Sequence, residues 1–171
     1  MSQIVDRMVR AAKLDAQLYE EVEQDTKALG PATIVVVLSG LAAGVGMISA
    51  QGLGGLLAGT VVALASWYVW AYLVYLIGTR VLPTPETKAD PGELLRTLGF
   101  ASAPGVIRVL MIVPFLRSFV FFVSSVWMLA TTVLAVRQAL DYKSTARAVL
   151  VCAIGWLVQV VLLWLLHTIM R

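Results

Sequence analysis

From Ala28 to Thr79 the chain carries no charged side chain, and this stretch contains its own turn, Gln51-Gly52-Leu53-Gly54-Gly55. One helical crossing of a bilayer takes about 20 apolar residues. The stretch therefore predicts two crossings joined by a turn, in a polytopic membrane protein. A soluble domain carries roughly a quarter charged residues. Here only 13% of the 171 residues are charged and 60% are hydrophobic, which suits lipid and not water.

Residues 1–30 read as a cytoplasmic amphipathic helix. Ile4, Met8, Ala11, Leu14, Leu18 and Val22 recur at three- and four-residue steps. Arg7, Arg10 and Lys13 flank the first half, and Glu20, Glu21, Glu23 and Asp25 crowd the second. The charged opening lacks the continuous apolar core of a cleavable signal peptide. Gly30-Pro31 ends the helix. Residues 31–171 read as an all-α bundle with five transmembrane spans, at about 32–50, 56–77, 103–116, 118–136 and 148–166. Pro83, Pro85 and Pro91 keep the loop after the second span non-helical. Gly92–Ser102 reads as a short surface helix before the third span.

The basic residues set the orientation. With the N-terminus inside, Arg7, Arg10, Lys13, Lys27, Arg80, Lys88, Arg96, Arg137, Lys143 and Arg147 fall on the cytoplasmic side. Every carboxylate falls there too. Arg108 reads as an anchor one turn inside the cytoplasmic end of span three, able to snorkel to the interface. Arg117 anchors the other end, and Arg171 and the C-terminus lie outside. The net charge of +3 and pI of 9.2 reflect this topology and not nucleic-acid binding.

Few residues invite a chemical role. Gly40-Leu-Ala-Ala-Gly44 is a small-residue face, suited to packing within the bundle or against a partner. Gln159 reads as interhelical glue, and the lone Cys152 as a small packing residue. His167 reads as an interface residue. Tyr75 fits an aromatic belt, whereas Trp67 lies too deep for one. Trp67 and Trp70 could stack on a pigment, quinone or lipid, or pack. The acidic run Glu20–Asp25 has no calcium-loop pattern. Ser124 and Ser125 have no His or Lys at their depth. No Walker loop, nucleophile elbow or zinc-protease helix occurs. The expectation is a non-enzyme without cofactor, metal or small-molecule substrate.

Leu98-Gly99-Phe100-Ala101-Ser102-Ala103-Pro104 resembles the Leu-Gly-Tyr, three residues, Pro motif with which the Yip1 family of five-span membrane proteins enters its third span. Phe100 stands where that family usually has Tyr. The short N-terminus resembles the compact prokaryotic members, so Rab binding by the longer eukaryotic N-terminal segments is not expected here. The resemblance implies a bacterial plasma-membrane protein. It would act through membrane lipids, other membrane proteins or its own copies, in membrane organisation or as an adaptor. An accessory subunit of a larger membrane complex, and a small transporter or lipid scramblase, are the alternatives. The stripe Ile4, Met8, Leu14, Leu18 and the Gly40–Gly44 face are the expected contact surfaces.

Overall fold

The computed structural model describes residues 2–169. Among them the chain is helical, with no strand. The helices are α1 (Ser2–Ala12), α2 (Ala16–Gln24), α3 (Leu29–Gly46), α4 (Ile48–Leu76), α5 (Pro91–Ala101), α6 (Arg117–Ala139) and α7 (Thr145–Ile169). Four stretches are long and apolar enough to cross a membrane: Thr26–Gly46, Gly52–Val81, Pro91–Ile112 and Pro114–Ala139. Thr145–Val161 is a shorter apolar helix, and the α7 backbone runs on to Ile169, 25 residues in all. The expected all-α polytopic architecture is present. The His167 side chain and Arg171 lie outside the described residues.

The turn between the first two crossings is tighter than the glycine run suggests. Met47 alone separates α3 from α4, and Gly52, at φ 64°, kinks α4 near its start. A left-handed φ of this kind is open to glycine at no steric cost.

The third crossing differs most from expectation. It begins at Pro91, not near Pro104, and Gly92–Ser102 is not a surface helix. Leu94, Arg96, Thr97, Leu98, Gly99, Phe100 and Ala101 are all buried. Asp90 starts α5 with a capping box: its carboxylate accepts from the Glu93 amide at 3.0 Å, and Glu93 accepts from the Asp90 amide at 2.8 Å. Pro91 sits in the first turn, where its missing N–H costs nothing. After Ala101 the chain tightens into a 3-10 stretch, Ala103–Ile112, because Pro104 cannot continue the α-helical ladder. The Thr131 hydroxyl donates to the Ala101 carbonyl at 2.7 Å where the two helix types meet.

This segment runs beside α3 and in the same direction. Gly99 lies against Ala32, Gly105 against Ser39, and Gly46 against the Arg108 carbonyl. A Cβ on Gly99 would come within 2.7 Å of the Ala32 Cβ, so only glycine allows this approach. Gly99 also meets Trp67, which places Ala32, Gly99 and Trp67 at one level. α3 thus starts partway up the bundle, and α2 fills the space beneath it.

The N-terminal region is two helices, not one. Leu14 adopts φ 61°, and Asp15 caps α2 by accepting from the Gln17 amide at 3.0 Å. The sequence periodicity runs through this break, but the Asp15 cap ends it locally. The α1–α2 hairpin packs on α5 and α6, with Ala11, Leu18, Tyr19 and Val22 fully buried.

Candidate functional site

Two places gather polar groups: the charged end of the bundle, and a cavity within its apolar wall.

At the charged end, α2 is fixed to the bundle by side chains from two crossings. Arg96, itself buried, donates Nε–H to the Val22 carbonyl at 3.1 Å and Nη2–H to the Glu23 carbonyl. These are carbonyls of the last turn of α2, which a helix leaves without partners of its own. Gln138, near the end of α6, donates to the Glu20 carboxylate at 2.8 Å. Tyr142, in the link between α6 and α7, donates to the Leu82 carbonyl at 2.7 Å, and its burial raises the phenol pKa. Lys143 pairs with Glu86 at 2.6 Å across the loop after α4. Between these elements lies a polar cavity of about 340 Å³, bordered by Glu20, Glu23, Gln24, Gln138, Asp141 and Lys143. Loss of hydration lifts the Glu23 pKa to about 7, with Asp141, Glu93 and Glu20 adding repulsion.

The second place surrounds Arg108. The register with α3 puts this arginine level with Gly46, at the end of the crossing remote from the charged end. It therefore does not lie one turn inside the charged end, where it was expected. The expected position counted the crossing from Pro104, and the true start at Pro91 carries Arg108 across the bundle. Its Nε–H donates to Ser124 Oγ at 3.0 Å, its Nη2 to Ser125 Oγ at 3.4 Å, and its guanidinium lies 5.9 Å from the Phe121 ring centroid. Arg108 borders a cavity of about 420 Å³ between α3 and α4. It also borders one of about 620 Å³ between α6 and α7. Gln159, Trp70, Met128 and Thr132 border both. Arg117 opens α6 at that same remote end, and its Nε–H reaches the Met111 carbonyl at 3.5 Å.

The other expected residues take structural places. Gly40 faces Ala63 and Thr60, and Gly44 faces Leu56, so the small-residue face joins α3 to α4 of the same chain. Ile4 and Met8 pack partly buried against the core and Leu18 is wholly buried, so the stripe is covered by the chain's own bundle. Leu14 leaves the stripe and is 45% exposed. Arg7 pairs with Asp25 at 3.0 Å and Arg10 with Asp15 and Glu21 at 2.7 Å each. Arg7 and Arg10 of the basic half are therefore paired with carboxylates of the hairpin itself. In the motif, Leu98, Gly99, Phe100 and Pro104 are all buried. Phe100 is fully enclosed, which an apolar ring permits. Trp67 packs in the core and donates to the Leu95 carbonyl at 3.2 Å.

Sequence reasoning missed the meeting of Arg108 with Ser124 and Ser125. The signal was there: an arginine and a serine pair in successive apolar segments. Only the register of the hairpin between them shows that they coincide.

The family model described as Yip1 domain matches residues 16–166. No curated protein and no solved structure matches significantly.

Proposed function

Because the chain belongs to the Yip1 domain family, we propose that it is a non-enzymatic adaptor of the bacterial plasma membrane, whose charged end faces the cytoplasm and receives a protein partner. One observation carries this: the charged end is a fixed surface. Arg96 and Gln138 hold α2 against two crossings, so Glu20, Gln24 and Lys143 project from a rigid rim around the polar cavity. A surface already ordered loses less entropy on binding than a free tail. The N-terminus inside and C-terminus outside follow from the bias of basic residues toward that end.

The test is co-purification in mild detergent, with mass spectrometry, of the wild type and of a Gln24→Lys variant. Gln24 is exposed at the rim and takes no part in the contacts that hold α2, so insertion and thermal stability should be unchanged while the partner set is lost. An unchanged partner set would remove the charged end from consideration. A complex with fixed stoichiometry on a native gel would favour the accessory-subunit alternative.

A further inference from the structure

We propose that Arg108 binds the anionic headgroup of a membrane phospholipid whose acyl chain lies in the groove between α6 and α7. This goes beyond the adaptor reading and stands if that reading fails.

The first observation is an uncompensated charge at depth. Ser124 lies seven residues inside the start of α6 at Arg117, about 10 Å along the helix. Arg108 reaches that level. Among the described residues its polar partners are two neutral hydroxyls, and it has no ion pair. The ion pairs of the described residues gather around Arg7, Arg10 and Lys143. An intramembrane arginine is costly, and such residues normally pair with an anion or mark a ligand path. A guanidinium held by two hydroxyls keeps its remaining N–H donors for a phosphate or carboxylate oxygen.

The second observation is the shape of the adjoining space. The cavity of about 620 Å³ continues from Arg108 and Ser125 along α6 to Val133, about 12 Å of helix. Its wall is mostly apolar, with Thr132 and Gln159 as polar members, and Leu129, Val149 and Trp156 are exposed at the surface of the bundle. A free inorganic anion would gain nothing from that wall. An acyl chain would fill it while its headgroup met the guanidinium. Charge and shape thus select one occupant, an anionic phospholipid.

Trp70 and Trp156 border the groove and report its occupancy. The full chain is reconstituted in phosphatidylcholine nanodiscs containing dibrominated phosphatidylglycerol or dibrominated phosphatidylcholine, and tryptophan quenching is followed against brominated mole fraction. In the wild type the phosphatidylglycerol midpoint should lie about tenfold lower, as one charge-assisted contact allows. Arg108→Gln should merge the two curves, and Arg117→Gln should keep them apart. Ala153→Phe fills the groove from its exposed side and should move the phosphatidylglycerol curve toward the phosphatidylcholine one. It decides the matter if Arg108→Gln fails to insert. Equal curves in the wild type, a preference retained in Arg108→Gln, or a wild-type curve in Ala153→Phe would each overturn the proposal. So would loss of the preference on adding inorganic phosphate, which would identify a free anion as the ligand.

Discussion

The Nε–H of Arg96, in the third crossing, donates to the main-chain carbonyl of Val22 in α2 at 3.1 Å. Through this contact a residue counted from sequence as one more cytoplasmic cation becomes the pin that docks the N-terminal hairpin. Arg96→Met should lower stability by about 2–3 kcal/mol, the scale of hydrogen bonds made by a charged donor. Limited proteolysis should then cut at residues 13–15 before the bundle unfolds. If thermal unfolding in detergent and the cleavage pattern both match wild type, the pin is not what holds α2.

Deleting residues 2–24 should not leave an intact bundle. Leu18, Tyr19 and Val22 are fully buried against α5 and α6, and burying one side chain of that size contributes about 1.5–3 kcal/mol. The truncated chain should melt several kcal/mol less stably and aggregate on transfer from detergent. A truncated protein with wild-type thermal stability would show that the hairpin is an appendage.

Stability should fall as pH rises through neutrality. The Glu23 pKa stands at about 7, above its ordinary value of 4.5. In that interval the folded state holds a proton that the unfolded chain has released. Its contribution is therefore complete below about pH 4.5 and is lost as pH passes 7. Glu23→Gln should flatten this part of the profile, seen as a smaller drop in melting temperature from pH 5 to pH 8. An identical slope in the variant would assign the effect to other groups.

Gly44→Val should disturb the fold and not an oligomer. A Cβ there would sit 3.0 Å from both Cα and Cγ of Leu56. The backbone of α4 cannot give way as a side-chain tip can, so overpacking of about 1–3 kcal/mol is expected. Thermal unfolding should register the loss, while the mass of the detergent-solubilised particle stays the same. A change of particle mass at unchanged stability would make this face an interface between copies.

The fold class was legible because lipid imposes it. Uncharged runs of spanning length have few alternatives to helix, and the charges at their ends order them. What was not legible depended on where a helix starts. Asp90-Pro91-Gly92-Glu93 is a strong start signal, yet the residues after it include Glu93 and Arg96 and so resemble a solvated helix. Burial of Arg96 against main-chain carbonyls reconciles charge with a core position, and no periodicity announces such a partner. The error carried forward: a start about a dozen residues late put Arg108 at the wrong end of the bundle. Likewise the stripe from Ile4 to Val22 was correctly apolar, but a single left-handed residue, Leu14, split it. The side chains then folded onto the chain's own helices. The Gly40–Gly44 face was legible as a packing surface, since close backbone approach is what small residues provide, whereas Leu98–Pro104 was legible only as a motif and its burial was not.

The hairpin at the start of the chain is assembled in two instalments. Its ion pairs, Arg7 with Asp25 and Arg10 with Glu21, lie wholly within residues 7–25. Its seat does not. Arg96 lies 74 residues beyond Val22, Trp127 donates to Ala12 across 115, and Gln138 reaches Glu20 across 118. At about 5–20 residues per second of synthesis, the charge-matched hairpin waits on the order of ten seconds before the crossings that bury its apolar face exist. Through that interval Leu18, Tyr19 and Val22 lack the partners that bury them, and the seat of α2 is complete only once α6 has been made.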